Sequence, residues 1–285
     1  MDIMKKLVSL VLTLGLAVSL FAGCGDSTRN TDTTKVGADV STEASDTAGT
    51  GDKVYRTLDE IKKSGKITIG VFSDKNPFGY VDENGDYQGY DVYFADRLAK
   101  DLGVEVEYVS TEPASRVDER AESVDFALPY MKVALGVVSP DSALVTKPED
   151  LNGKTLIVAK GTTAETYFTE NYPDVKLLKF DQYADAYNAL LDGRGDALST
   201  DNTEVLAWAL QNEGYSVGIE SLGNLDTIAP AVSKGNDTLR EWINQEIETL
   251  AGEQFFHEDY KETLEPVYGS EVDIDSLVVE GGKVE

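Results

Sequence analysis

The sequence is short of the residues that perform most protein chemistry. In 285 residues it has one cysteine, Cys24, and one histidine, His257. Cys24 sits at the end of the N-terminal apolar run, so no thiol remains inside the folded part for nucleophilic attack. No nucleophile elbow and no metal-ligand cluster is present, and His257 in "EQFFHEDYKE" reads as a partly exposed helix residue. Binding without chemistry is therefore the better inference, and no cofactor or metal is expected. Basic residues are scarce as well. Twenty-five Lys and Arg face 52 Asp and Glu, giving a net charge of −27 and a pI near 4.3. Nucleic acid is excluded as a partner, because its phosphates would repel such a surface, and broad adsorption to anionic lipid is disfavoured. Most of this acidity reads as a solvated surface.

What is there begins with Lys5 and Lys6, followed by an apolar run from Leu7 to Gly23. These are the charged and hydrophobic regions of a secretory signal peptide, residues 1–23. "LFAGC" resembles a bacterial lipobox, with Phe21 where leucine is usual, so Cys24 is expected to carry lipid and anchor the protein to the bacterial cell membrane, outside the cytoplasm. Residues 24–53 are dominated by Thr, Ser, Asp, Gly and Ala, the composition of a flexible linker that cannot form a core.

From Val54 onward, short apolar runs alternate with amphipathic helices. "KITIGVF" (66–72), "VEVEYV" (104–109), "KTLIVAK", "VKLLKF" and "DALST" read as strands. "YDVYFADRLAKDLG" (90–103), "AETYFTENY", "YADAYNALLDG", "TEVLAWALQNEG" and "TLREWINQEIETLAG" read as helices. The alternation predicts an α/β protein with largely parallel sheets. Two extended runs, "MKVALGVVS" (131–139) and "TIAPAVSKGN" (227–236), interrupt it. If they cross between lobes in opposite directions they form a hinge. Lobe 1 is then residues 54–131 plus 229–285 and lobe 2 is residues 132–228, with a ligand cleft between them.

Four features carry candidate site residues. In "AKGTTAETYF" Gly161, Thr162 and Thr163 lead from a strand into a helix, which serves equally as an anion site or as an ordinary capped helix start. Asp201 follows a strand and precedes a helix; it is an N-cap or a cleft carboxylate for an ammonium. Arg120 in "DER" is a planar fork suited to a carboxylate. "FSDKNPFGYVDENGDYQGYD" has Asn84-Gly85 as a tight hairpin turn, and its acidic spacing does not fit a calcium loop.

Together, "GVFSDKNPFGYVDENGDYQGYDVYFADRLAKDLG", "VDFALPYMKVALGVVSP", "EDLNGKTLIVAKGTTAETYFTENYPDVKLLKFDQ", "GRGDALSTDNT" and "EQFFHEDYKETL" resemble the substrate-binding lipoproteins of bacterial polar amino acid ABC transporters. Cysteine-binding members are the nearest branch, with aspartate/glutamate binders close by. The resemblance implies the two-lobe type II periplasmic binding protein fold with two hinge crossovers, the Venus-flytrap arrangement. It implies a monomer that captures a free amino acid, cysteine or cystine or an acidic one, for an ABC permease in the membrane. Arg120 would clamp the α-carboxylate, Thr162 and Thr163 would assist, and Asp201 would take the α-ammonium. The segment Phe72 to Phe78 would line the side-chain end, with Lys75 where some relatives carry an aromatic, favouring a polar or acidic ligand. Relatives also continue after a match to "ASRV" into a helix end and a strand before "DER". Here Val117 runs directly into Asp118. On the order of twenty residues, one helix end plus one strand, are absent, so lobe 1 is expected to lack a strand and binding to be impaired. An alternative is a dehydratase-type enzyme on the same fold acting on a small carboxylic acid. A sensory binding domain is a third reading, against which the chain offers no signalling segment after "VVEGGKVE".

Overall fold

The computed structural model describes residues 55–111, 123–269 and 272–284. The expected signal peptide, Cys24, the linker, Arg120 and the Val117–Asp118 junction lie outside the described residues.

Thr57 starts the fold with a reciprocal cap. Its hydroxyl accepts from the Glu60 N–H, and the Glu60 carboxylate accepts from the Thr57 N–H at 2.7 Å. Helix α1 (Leu58–Ser64) leads into β1 (Lys66–Val71), then the short strands β2 (Asp74–Lys75), β3 (Gly79–Val81) and β4 (Tyr87–Gln88). The β3–β4 turn is broader than the tight Asn84-Gly85 turn expected. It spans Asp82–Asp86, because Asp82 Oδ1 accepts from the N–H groups of Asn84 and Asp86 at 2.8 and 3.0 Å and ties the loop across. Helix α2 (Tyr90–Leu102) follows, and Gly89 before it adopts φ +116°; a Cβ there would lie 2.4 Å from the Phe78 carbonyl oxygen. That close approach fixes Phe78 against the start of α2. Strand β5 (Glu105–Ser110) returns beside β1 in parallel.

After the undescribed residues come β6 (Val124–Phe126), β7 (Met131–Pro140), β8 (Thr155–Ala159), helix α3 (Thr163–Asn171), β9 (Lys176–Phe180), helix α4 (Tyr183–Leu191), β10 (Ala197–Asp201) and helix α5 (Asn202–Gln211). Then β11 (Tyr215–Ile228), β12 (Ala231–Ser233), helix α6 (Asp237–Ala251) and helix α7 (Phe255–Thr263) lead to the C-terminal segment. The largest sheet has the order β11-β7-β10-β8-β9. Only β10, β8 and β9 are parallel neighbours; β7 runs antiparallel to both β10 and β11. The sheet is thus mixed rather than largely parallel, because β7 enters it without a βαβ crossover. Its inner strands β7, β8 and β10 are buried on both faces. Leu156 and Val158 join one apolar cluster while Ile157 and Ala159 join another, as alternation along a strand requires.

The run expected at 227–236 is two strands. Pro230 supplies no N–H for the ladder, so β11 ends at Ile228 and β12 pairs instead with β6. Outside the five-stranded sheet, a third cluster gathers Tyr90, Phe94 and Leu98 of α2, Ile247 of α6 and Phe256 of α7. Around it the small sheets are fragments. Among the described residues β1 pairs only with β5, and β12 only with β6. Val109 on β5 is 46% exposed and Phe126 on β6 is 54% exposed, values that apolar strand residues reach when a covering neighbour is lacking.

Candidate functional site

The first turns of α3, the end of β10 and the paired strands β7 and β11 surround a cavity of about 580 Å³. It exists because β11 does not track β7 evenly. The register shifts between Val217 and Ile219, between Ile219 and Leu222, and again between Leu222 and Asp226. The segment Leu222–Asp226 therefore lines the cavity together with Thr163, Tyr167 and Asp201. Gly223, at φ +79°, lets the Tyr167 ring approach; a Cβ there would sit 3.2 Å from it.

Thr163 lines this cavity and Thr162 does not. Thr162 is the N-cap of α3, where its hydroxyl accepts from the Glu165 N–H at 3.3 Å and donates to the Ala159 carbonyl at 2.7 Å. The Glu165 carboxylate in turn accepts from the Gly161 N–H at 2.6 Å and pairs with Lys179. One of the free N–H groups at this helix start is thus already met by a carboxylate of the chain itself.

Asp201, between β10 and α5, makes no side-chain cap. The side chain of the next residue does that work, with Asn202 Oδ1 accepting from the N–H groups of Thr203 and Ala134, both at 3.0 Å. Released from capping, Asp201 is 22% exposed at the cavity and its Oδ2 lies 3.1 Å from Lys75 Nζ. Lys75 is 6% exposed and also lies 3.1 Å from Oε2 of Glu204, which is 2% exposed. Three ring faces surround the ammonium, those of Phe72, Phe78 and Tyr183, with centroids 5.2, 5.6 and 5.1 Å from Nζ. Lys75 and Phe78 do not line the cavity. Phe78 is a core residue, 5% exposed, whose ring packs toward the ammonium.

Glu204 was not marked by the sequence, where it reads as one more polar residue of a helix. Burial pushes its carboxyl up to about 7 against the downward pull of Lys75, while neighbouring Asp201 adds to the rise. The Thr200 hydroxyl donates to its Oε2 at 3.0 Å. Asp74 lies in the segment Phe72 to Phe78 that the resemblance pointed to, but was not singled out within it. The N-cap position of α4, Gln182, makes no side-chain cap, and Asp74 Oδ2 accepts the Ala184 N–H from across the chain at 3.1 Å. No sequence signal points to either contact, since both are made between segments more than a hundred residues apart. Arg120 lies outside the described residues. His257 stands apart from the cavity, its ring nitrogens 2.9 Å from Glu280 and 3.0 Å from Asp275.

A sheltered carboxylate at the cavity wall, beside an exposed hydroxyl-bearing helix start, suits a small zwitterion. A model of the bacterial extracellular solute-binding proteins, family 3, matches residues 67–118. The glutamine-binding protein of Geobacillus stearothermophilus is 33% identical over 236 residues, which cover 75% of this chain and 87% of that protein. The solved structure of a solute receptor for L-cysteine from Neisseria gonorrhoeae matches with a TM-score of 0.76 and 48% identity, covering 79% of this chain and 100% of that one. The cysteine-binding protein of Campylobacter jejuni matches with a TM-score of 0.76 and 48% identity, over 78% and 98% of the two chains. These neighbours carry the type II periplasmic binding protein fold, the mixed α/β architecture described above. The chain belongs to the bacterial extracellular solute-binding proteins of family 3.

Proposed function

We propose that the protein captures a polar amino acid outside the cytoplasm, cysteine or cystine or an acidic amino acid, and delivers it to the permease of an ABC importer. The observation that carries this reading is Asp201, a carboxylate free of capping duty at the wall of a cavity sized for a small ligand. In this reading Asp201 takes the α-ammonium and Arg120 the α-carboxylate. Thr163 lines the ligand space, and Thr162 holds the helix start in place. Two lobes, residues 54–131 with 229–285 and residues 132–228, close around the ligand, with the runs 131–139 and 227–236 crossing between them. Closure gains affinity by desolvating the charge pairs and shifts the population toward the closed form. The protein is a binding protein rather than an enzyme and works as a monomer. Lipid on Cys24 holds it at the membrane, with the residues before Cys24 removed as a signal peptide.

The separation of β1–β5 from β12–β6 supports a further part of this reading, that lobe 1 lacks an interior strand because the chain is shortened between Val117 and Asp118. A thermal-shift screen over the common amino acids tests the whole. One or a few polar amino acids should raise Tm in the wild type, and Asp201→Asn and Arg120→Ala should each abolish the shift. An unchanged shift in both variants would remove these residues from the site.

A further inference from the structure

We infer that Lys75 is a tethered competitor for the ligand's ammonium: its own ammonium pairs with Asp201, and a bound amino acid has to displace it toward Glu204. The inference rests on the reading of Asp201 as the ammonium acceptor. Lys75 belongs to β2, which lies outside the five-stranded sheet, whereas Asp201 and Glu204 belong to β10 and the first turn of α5. Its ammonium is therefore carried by one part of the fold and neutralised by another. The chemistry it offers Asp201 is that of an amino acid: a primary ammonium, 3.1 Å from Oδ2, enclosed by three aromatic faces. Asp74 beside it makes a second bridge in the same direction, to the Ala184 N–H at the start of α4, and Phe72 packs edge-on against Tyr183 with centroids 5.5 Å apart. Residues Phe72, Asp74 and Lys75 thus draw the two parts together.

Two carboxylates and one ammonium make the exchange feasible. Glu204 is already 3.1 Å from Nζ, so an incoming ammonium that takes Asp201 leaves Lys75 with a partner and no buried charge stranded. The arrangement reduces apparent affinity by the fraction of molecules in which Lys75 holds Asp201. It also sets Lys75 against a second cation, so that arginine and lysine as ligands meet like charge.

The test uses the full chain with Lys75→Met, which keeps the length of the side chain without its charge, and Lys75→Arg, which keeps the charge. L-Cysteine, L-glutamine and L-arginine serve as probes in isothermal titration, and small-angle scattering gives the ligand-free radius of gyration. Lys75→Met should bind at least one neutral probe about tenfold more tightly, gain affinity for L-arginine, and show a larger ligand-free radius. Lys75→Arg should stay near the wild type in scattering. Weaker or unchanged binding by Lys75→Met, or an unchanged radius, overturns the inference. If no probe binds the wild type, or if Asp201→Asn binds as the wild type does, the reading of Asp201 fails by itself. Scattering then decides separately whether Lys75 holds the two parts together, and an unchanged radius removes that role too. Should Lys75→Met fail to fold, Lys75→Gln replaces it in both measurements.

Discussion

At the scale of the residue, Glu204 determines how the site responds to pH. A carboxyl in water titrates near 4.5, and burial raises that of Glu204 to about 7. A group whose folded value is raised contributes stability in full below its unfolded value and loses it as pH rises through the folded value. Wild-type stability should therefore fall, relative to Glu204→Gln, between about pH 4.5 and about pH 7. The Tm of Glu204→Gln minus that of the wild type should grow from about pH 5 to about pH 8, measured by scanning calorimetry. A constant difference would mean that Glu204 does not titrate in that window. Residues of this kind were only partly legible. Asp201 and Thr163 stood out because each follows a strand and opens a helix, the place where side chains meet clefts. Lys75 and Phe78 stood out as part of the segment after β1, yet both turn to the aromatic enclosure and not to the cavity. Glu204 carried no mark, and Asp74 only as part of the segment Phe72 to Phe78, since Lys75 for the one and the Ala184 N–H for the other come from distant parts of the chain.

At the scale of the element, His257 links helix α7 to the C-terminal segment. Burial lowers its imidazole value, but hydrogen bonds to Glu280 and Asp275, together with their charges, outweigh burial and raise it above 6.5. Lys132 adds to the same contact by donating to the Asp275 carbonyl at 3.0 Å. With a raised folded value, the stabilisation is complete below about pH 6.5 and is lost as pH rises through the folded value. His257→Gln should lower Tm more at about pH 6 than at about pH 9, and equal losses at both would exclude the ion pairs as the cause. Helices were the most legible elements. The apolar spacing of α2 and α6 and the glycine after Leu102 determine their faces and one clear stop. The bulges of β11 and the break at Pro230 were not legible as such. A run of apolar and polar residues has the same pattern whether a strand continues with its neighbour or shifts past it.

At the scale of the whole molecule, β1–β5 and β12–β6 are separate pairs among the described residues. In the proposed reading of a missing strand, their open edges leave backbone N–H and C=O groups without ladder partners, and exposed Val109 and Phe126 forgo burial worth about 1.5–3 kcal/mol per fully buried side chain. Such losses are a large share of a domain's net stability, roughly 5–15 kcal/mol. A chain with a helix end and strand of family type inserted between Val117 and Asp118 should therefore melt several degrees higher and bind its amino acid more tightly. An insertion that leaves Tm and affinity unchanged would show that the short chain is whole as it stands.

By itself, the sequence determined the α/β class, most helices and strands, the acidic surface and the likeness to an amino acid-binding family. The class and the elements follow from local periodicity and caps that act over one or two turns, the acidity from composition, and the likeness from a resemblance of motifs spread along the chain. Only the tertiary structure decided what each charged group faces. A carboxylate's role is set by which charges and how much water lie within a few ångströms, and at Asp201 that means Lys75, a residue 126 positions away.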